Sequence, residues 1–458
     1  MKSDTIAAIA TGNSSAGISI IRISGENALS AIDKIYKSKV KNKKLSEKES
    51  HTIHYGYIVD EQEVIDEVMV TIMKAPSTYT REDVVEINCH GGIVVTRRIL
   101  ETVLKQEIRL AEPGEFTKRA FLNGRIDLSQ AEAVCDIINA KNQIALKNSL
   151  KQLKGREQEK IEEIRNVILR DIAFIEAALD DPEHISIEGF SEELLNHLDT
   201  NCNALEGLIK SSKDGKLIKE GIKTVIIGKP NAGKSSLLNI LVKEDRAIVT
   251  DIAGTTRDTL EETIRLNDIT LNIIDTAGIR STDDIIEKIG VDKAIKLSQE
   301  ADLILYVLDS SVPLDENDDK ILSLIKEKKA ILLLNKSDLG PKILVDDIKE
   351  KSSHPIIITS FIEHTGLGDL EELIKKMFFE GSLTIHEDIY ITNERHIEAF
   401  KNALGSLNMV RDSVINQMPE DFYSIDLMAA YEELGKILGE NLGEDLINMI
   451  FSEFCMGK

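Results

Sequence analysis

Tryptophan is absent from this chain of 458 residues, and aromatic residues together make up only 4% of it. Cysteine is also scarce: Cys89, Cys135, Cys202 and Cys455 are the four, and no two of them are close in sequence. This spacing excludes a CxxC metal or redox pair. Isolated thiols are typical of a reducing compartment, so a cytoplasmic location is expected.

Long apolar runs are lacking as well. No stretch approaches the length of a membrane span. The opening apolar stretch is short and has neither the basic lead nor the long core of a signal peptide. Apolar residues make up 42% of the chain and charged residues 29%, a balance typical of globular proteins with well-filled cores. At roughly 100–200 residues per domain, the length favours two to four domains.

Positive charge is in deficit, with 56 Lys and Arg against 79 Asp and Glu, a formal net charge of −23. A protein that holds nucleic acid through its own surface usually shows a basic footprint. If RNA is bound, a partner or a local patch must therefore supply much of the phosphate contact. The simpler interpretation is that the acidity keeps the chain soluble.

Hydrophobic periodicity predicts a multidomain protein of α/β and α+β class. Apolar runs at 18–23, 68–73 and 84–87, followed by a helical stretch from Val94, indicate an α+β domain. Later, strand and helix patterns alternate, which indicates a mainly parallel sheet with helices on both faces. Helical periodicity flanks this block on both sides, so we expect it to be inserted into one helical domain. The predicted boundaries are 1–118 (α+β), 119–217 (helical), 218–378 (α/β) and 379–458 (helical).

The strongest chemical signal is at residues 228–235, which fit GxxxxGK[ST] between an apolar strand and a helix. Glycines allow backbone N–H groups to turn inward around phosphates. Lys234 then neutralises the β and γ oxygens, and the Ser235 hydroxyl ligates Mg²⁺. The expected nucleotide contacts here are Asn231, Ala232, Gly233, Lys234, Ser235 and Ser236.

A guanine-reading sequence, Asn335-Lys336-Ser337-Asp338, follows the apolar run 331–334. The Asp338 carboxylate can accept hydrogen bonds from N1–H and the 2-amino group of guanine. Adenine offers neither donor and would leave the carboxylate unpaired. Together with the phosphate loop, this predicts a GTP site.

Two further loops lie between these motifs. Asp275, Thr276, Ala277 and Gly278 follow an apolar strand; Asp275 can hold Mg²⁺ through water, and the Gly278 N–H can sense the γ-phosphate. A hydroxyl from the loop 250–256 would complete the magnesium shell. Its predicted GTP contacts are Thr250, Asp251, Ile252, Ala253, Gly254, Thr255 and Thr256.

The usual water-orienting glutamine after this glycine is missing, because Ile279 stands there. Glu287 is a candidate for orienting the attacking water. From the residues alone, an ordinary solvated helix glutamate is an equally good interpretation of Glu287.

These motifs and both flanks resemble the MnmE (TrmE) family of tRNA-modification GTPases over essentially the whole chain. The resemblance is carried by segments 4–11, 20–25, 86–92, 111–125 and 127–133 and by the ending Phe454-Cys455-Met456-Gly457-Lys458. It implies an N-terminal domain that dimerises and binds 5-formyltetrahydrofolate, and a helical domain carrying the inserted GTPase domain. It also implies a flavoprotein partner, MnmG (GidA), which could hold much of the tRNA. Together the two would install a carboxymethylaminomethyl-type group at carbon 5 of the wobble uridine, using a folate one-carbon unit.

The resemblance also implies roles for individual residues. Glu287 falls at the position of the family's water-positioning glutamate, and Ser360 lies in the loop that caps the base. Magnesium ligands would be Ser235 and Thr256; potassium ligands would be Asn231, Thr250, Ile252 and Thr255; the folate site would use Arg22, Glu86, Arg125 and Lys458. An arginine suits the glutamate tail or a pterin carbonyl, and a carboxylate suits the pterin amino face.

The chain departs from the family pattern at the base loop, where Ser360 is followed by Phe361 instead of alanine. Cys455 is interpreted as a packing residue rather than a reactive thiol. The alternative function is a GTP-dependent assembly factor or ribosome-associated switch without folate chemistry. Arg22, Glu86 and Arg125 discriminate between the two, because a plain switch needs no folate pocket.

Overall fold

The computed structural model describes residues 4–12, 14–39, 44–181, 183–184, 189–245, 262–266, 268–274, 299–340, 342–379 and 389–457. The predicted site residues at 250–256 and 275–278, together with Glu287 and Lys458, lie outside these ranges. The chain divides into two compact units. The first contains Met1–Ile138, Leu150–Asp199 and Asn402–Lys458, and the second contains Asn139–Ser149 and Thr200–Lys401. The four predicted domain boundaries stay a prediction.

A seven-stranded sheet dominates the N-terminal part of the first unit, in the order β3-β4-β5-β6-β2-β1-β7. All neighbouring strands are antiparallel except β1 and β7. The bounds are β1 Ile6–Ile9, β2 Ile18–Ser24, β3 Tyr36–Ser38, β4 Thr52–Asp60, β5 Glu63–Met73, β6 Val84–His90 and β7 Arg109–Leu110. Helices α1 (Ala28–Ile35) and α2 (Ile93–Leu104) pack into the same apolar cluster as alternate residues of β2, β5 and β6. The strands predicted at 18–23, 68–73 and 84–87 and the helix that follows them are confirmed.

Helices make up the rest of the first unit: α3 Glu115–Leu122, α4 Leu128–Asn139, α6 Arg156–Asp180, α13 Asp421–Leu438 and α14 Glu444–Ser452. The spacing of Ile161, Ile164, Ile168, Ile172, Ile175 and Leu179 at steps of three and four predicts one apolar face of α6. The five isoleucines are buried, whereas Leu179, near the end of the helix, is 41% exposed. The buried Arg165 on α6 makes a bidentate ion pair with Glu440, just past the end of α13. Its guanidinium also lies 4.1 Å from the Tyr431 ring centroid, so α6 and α13 are joined by charge and by stacking.

The second unit is built on a six-stranded sheet in the order β13-β12-β11-β8-β10-β9. Its strands are β8 Ile222–Gly228, β9 Glu262–Leu266, β10 Ile269–Ile273, β11 Leu303–Asp309, β12 Ala330–Asn335 and β13 Ile356–Ile358. Only β9 runs antiparallel to its neighbour. The sequence did not predict β9, because this short edge strand alternates charged and apolar residues and lacks a continuous apolar run.

Helices α8 (Lys234–Asp245), α9 (Glu316–Ile325), α10 (Val345–Lys349) and α11 (Leu367–Phe379) accompany this sheet. Two separate apolar clusters use alternate residues of the central strands: Leu305 and Val307 belong to one, Ile304 and Tyr306 to the other. Both faces of the sheet are therefore covered, which confirms the predicted mainly parallel, doubly covered sheet. Within the described ranges, no helix is long and apolar enough to cross a membrane.

Helices α5 (Gln143–Leu153), α7 (Phe190–Glu220) and α12 (Glu394–Ile415) each contribute residues to both units, as does α4 through its last residue, Asn139. The start of α5 is anchored within the second unit by the buried Asn142. Its Nδ2 donates to the Ile218 carbonyl and to the Thr270 hydroxyl, each at 3.0 Å, and its Oδ1 accepts from the Ala145 N–H at 2.7 Å. Ala145 itself belongs to the apolar cluster of the second sheet. A segment distant in sequence from the phosphate loop is thus part of the same core.

We expect Asn142→Ala to lower the free energy of unfolding of the second unit by about 2 kcal/mol, because three buried polar groups lose their partners. Urea denaturation of the full chain measures this. Asn317→Ala, at an exposed asparagine of α9, is the matched control and should change stability by less than about 0.5 kcal/mol. Equal stability of the two variants would contradict the anchoring role.

Candidate functional site

The phosphate loop connects the end of β8 to the start of α8, where its backbone turns sharply. Gly228, Asn231 and Gly233 have φ values of 153°, 60° and 112°. A Cβ at Gly233 would lie 2.2 Å from Asn335 Nδ2, so only glycine permits this approach. The predicted strand–loop–helix context of the motif is therefore present.

Lys234 folds back over this loop. Its Nζ donates to the carbonyls of Gly228 and Lys229 at 2.8 and 2.7 Å. Burial lowers the pKa of Lys234, because its charged form is partly withdrawn from water. A phosphate group would supply the compensating negative charge. Ser235 and Ser236 follow on the exposed first turn of α8, where the helix terminus favours anions.

Asn335, at the end of β12, links two loops of the site. Its Nδ2 donates to the Ala232 carbonyl at 2.8 Å, and its Oδ1 accepts from the Phe361 N–H at 3.2 Å. The side chain is buried, so these bonds are shielded from water. The phosphate loop and the loop after β13 are consequently fixed to the same amide.

The predicted guanine reader, Asp338, is exposed beyond Lys336, whose φ of 63° turns the chain. Asp338 Oδ1 accepts from the Ser360 hydroxyl at 2.7 Å. The structure therefore places Ser360 beside Asp338. Phe361 is buried in the core of the unit beside the phosphate loop.

Asp309, at the end of β11, is a site neighbour that the sequence analysis missed. Its Oδ2 accepts from Lys336 Nζ at 2.6 Å. Burial alone would raise the pKa of Asp309, but Lys336 and the Ser311 hydroxyl hold it below its ordinary value. An acid ending a neighbouring parallel strand is the signal that could have found it, since such strand ends meet at one edge of the sheet.

A second group of predicted residues meets in the first unit. Arg22 on β2 is opposite Glu86 on β6, with 2.8 Å between Nε and Oε1. Arg22 Nη1 also donates to the Gly457 carbonyl at 3.1 Å. Gly457 has a φ of 82°, and a Cβ there would lie 2.4 Å from the Ile9 carbonyl oxygen. The C-terminal segment thus reaches the strands that carry the predicted folate residues.

Arg125 joins this group through Tyr79, which the sequence analysis missed. The Arg125 guanidinium lies 4.8 Å from the Tyr79 ring centroid, and the Tyr79 hydroxyl is 2.9 Å from that of Thr117. Burial raises the pKa of Tyr79, while the Thr117 hydroxyl, Arg125 and Arg22 oppose that rise. Arg125 therefore stacks on Tyr79, and the charge of Arg22 acts on the same hydroxyl.

Cys455 does not pack into the core. Its side chain is exposed, and its backbone carbonyl accepts from the Gly114 N–H at 3.3 Å. The packing interpretation of this cysteine was wrong. The neighbouring Phe454 is buried instead and fills the adjoining apolar cluster.

Comparison with known proteins was made against family models and individual relatives. A model described as the MnmE helical domain matches residues 128–455, and one described as the GTP-binding protein TrmE N-terminus matches residues 5–125. A tRNA modification GTPase MnmE from Lachnoclostridium phytofermentans is 61% identical over 458 residues, covering 100% of both chains. Proteins of the same name from Thermoanaerobacter pseudethanolicus and Bacillus subtilis are 52% and 46% identical, each over 99% of this chain and 99% and 100% of their own.

The two family models together account for nearly the whole chain, and the relatives match it from end to end. The strand–loop–helix phosphate loop and the loop 335–338 both lie within residues 128–455, the range that the helical-domain model matches. The chain belongs to the MnmE (TrmE) family and is a GTP hydrolase.

Proposed function

We propose that this chain uses GTP hydrolysis to drive tRNA modification. The full-length match to a tRNA modification GTPase, 61% identical, carries the proposal. As a homodimer in the cytoplasm, the chain acts with the flavoprotein MnmG (GidA) on tRNA. The pair installs a carboxymethylaminomethyl group at carbon 5 of the wobble uridine with a folate one-carbon unit.

In the nucleotide half, the phosphate loop binds the β and γ phosphates and Asp338 reads guanine. The exposed Ser235, on the first turn of α8, would be one ligand of a magnesium ion, which would offset the negative charge of the phosphates. Thr256 is the second proposed magnesium ligand, and Asp275 acts through water. Glu287 orients the attacking water in place of the missing glutamine.

A potassium ion is proposed beside the phosphates, because no glutamine or arginine finger is evident to offset charge on the β–γ bridge. Asn231 fits this role: it is exposed and holds a left-handed backbone at the turn of the loop. The other proposed ligands are Thr250, Ile252 and Thr255.

The folate half uses Arg22, Glu86, Arg125 and Lys458. The carboxylate of Glu86 can accept from the pterin amino face, and the two arginines can bind carbonyl or carboxylate oxygens. Two observations support a ligand here: Arg125 lies over the ring of Tyr79, and the C-terminal segment reaches Arg22. A GTP-dependent assembly or ribosome-associated switch would need none of these groups.

Asp338→Asn should weaken GTP binding at least tenfold and favour xanthine nucleotides, because the amide replaces one of the two acceptor oxygens that guanine needs with an N–H donor, which pairs with the 2-oxo group of xanthine. Titration with GTP and XTP measures both affinities. Asp346→Asn, at an exposed aspartate of α10, is the matched control. Unchanged GTP affinity in Asp338→Asn would count against the guanine-reader role.

GTP turnover should be much faster in potassium than in sodium at equal ionic strength. The smaller ion would pull the loop carbonyls out of position. Asn231→Ala should abolish the difference while GTP still binds. Equal wild-type rates in the two salts would reject the potassium site.

5-Formyltetrahydrofolate should raise the melting temperature of the full chain, since a ligand at 100 times its Kd stabilises by about 2.7 kcal/mol. Arg22→Gln should remove most of this shift. Arg98→Gln, which breaks the exposed ion pair with Glu63, should keep it. A wild-type chain with no shift would favour the switch function over folate chemistry.

A further inference from the structure

An ion-pair cluster lies directly beneath the entry turn of the phosphate loop. Lys229, the residue after Gly228, contacts Asp318 on α9 through its ammonium group. The same Nζ is 2.7 Å from Oδ2 of Asp315, which caps α9. Neither the motif pattern nor the proposed catalytic roles use the Lys229 side chain.

The Asp318 carboxylate is deeply buried, at 2% exposure. Its Oδ1 accepts from the Tyr306 hydroxyl at 2.6 Å, and its Oδ2 accepts from the Asp315 N–H at 2.9 Å. Lys229 supplies the positive charge at this carboxylate. A buried carboxylate that loses its cation is strongly disfavoured, so the Lys229 side chain is held in place.

The Asp318 end of this ion pair is shielded from solvent, whereas the Lys229 side chain is partly exposed, at 28%. The adjoining cavity has a volume of about 20 Å³, room for about one water molecule, and Lys229, Asp309 and Asp318 contribute to its walls. Partly buried ion pairs are screened less by salt than exposed ones.

The backbone of Lys229 is part of the nucleotide site itself. Its carbonyl accepts from Lys234 Nζ, the group that would neutralise the phosphates. The turn that follows contains the left-handed Asn231 and Gly233, a conformation that persists only when its surroundings fix it. Lys229 therefore connects the buried Asp318, through its side chain, with the proposed phosphate-binding Lys234, through its carbonyl.

We propose that Lys229 is a positioning residue. By pairing with Asp318 and Asp315, it sets the phosphate loop in the shape that receives the phosphates of a guanine nucleotide. A loop already in its bound shape costs less to order on binding. Because GDP, GTP and the transition state all use this loop, its effect falls on KM and affinity and not on kcat.

The test compares Lys229→Met, which keeps the alkyl stem, with Lys351→Met in the full chain. Lys351 pairs at 2.6 Å with Asp319, which lies on α9 like Asp318, and this pair is away from the phosphate loop. Fluorescence titration with mant-GDP and mant-GTP should show about tenfold weaker binding of both nucleotides to Lys229→Met. The kcat at saturating GTP should stay within about threefold of wild type. A variant that loses equal binding energy for substrate and transition state changes KM and leaves kcat nearly unchanged. Lys351→Met should bind like wild type.

The double variant Lys229→Met/Asp318→Asn tests whether the loss of binding comes from the lost position of Lys229 or from an unpaired buried charge. It removes the buried Asp318 charge together with its cation, and the remaining Asp315 carboxylate is exposed to water. Its melting temperature should be higher than that of Lys229→Met, and it should still bind mant-GDP about tenfold more weakly than wild type. Wild-type affinity in the double variant overturns the proposal, as does wild-type affinity in Lys229→Met. Should Lys229→Met fail to fold, the double variant alone decides. The inference rests on the proposed guanine-nucleotide binding. A wild-type chain that does not bind mant-GDP refutes that function. If the wild type binds mant-GDP and the Lys229 variants bind equally well, only the role of Lys229 is refuted.

Discussion

The nucleotide site depends on one buried amide. Asn335 donates to the phosphate loop at Ala232 and accepts from the loop after β13 at Phe361, and it lies so close to Gly233 that no side chain could stand there. A buried amide with both ends engaged has one stable orientation. The phosphate loop, the loop after β12 and the loop after β13 are therefore fixed relative to each other.

Ionic contacts support the same arrangement from the strand ends. Asp309 at the end of β11 holds Lys336 of the base loop, and Asp318 at the start of α9 holds Lys229 of the phosphate loop. Both acids belong to the segment around the end of β11, which lies between β8 and β12 in the sheet. Parallel order brings these three strand ends together, which explains why motifs about a hundred residues apart act on one ligand.

In the first unit, the equivalent organising contact is Arg22 with Glu86. The antiparallel register of β2 and β6 places the two residues opposite each other, and Arg22 then binds Gly457, 435 positions away. The close fit of Gly457 against the Ile9 carbonyl shows why a glycine stands near the end of the chain. The same region holds the buried Phe454, while Cys455 faces outward.

The sequence by itself determined the elements and the chemistry of the phosphate loop. Apolar runs predicted most strands, the periodicity of 161–175 predicted the face of α6, and GxxxxGKS required a strand, a loop and a helix in that order. These features are local, so residue spacing alone encodes them.

Tertiary structure decided the partners: Asp309 for Lys336, Tyr79 for Arg125, Asp318 for Lys229 and the docking of Asn142 into a distant core. Each of these contacts joins residues far apart in the chain, and their geometry depends on sheet order and packing, which no local pattern records.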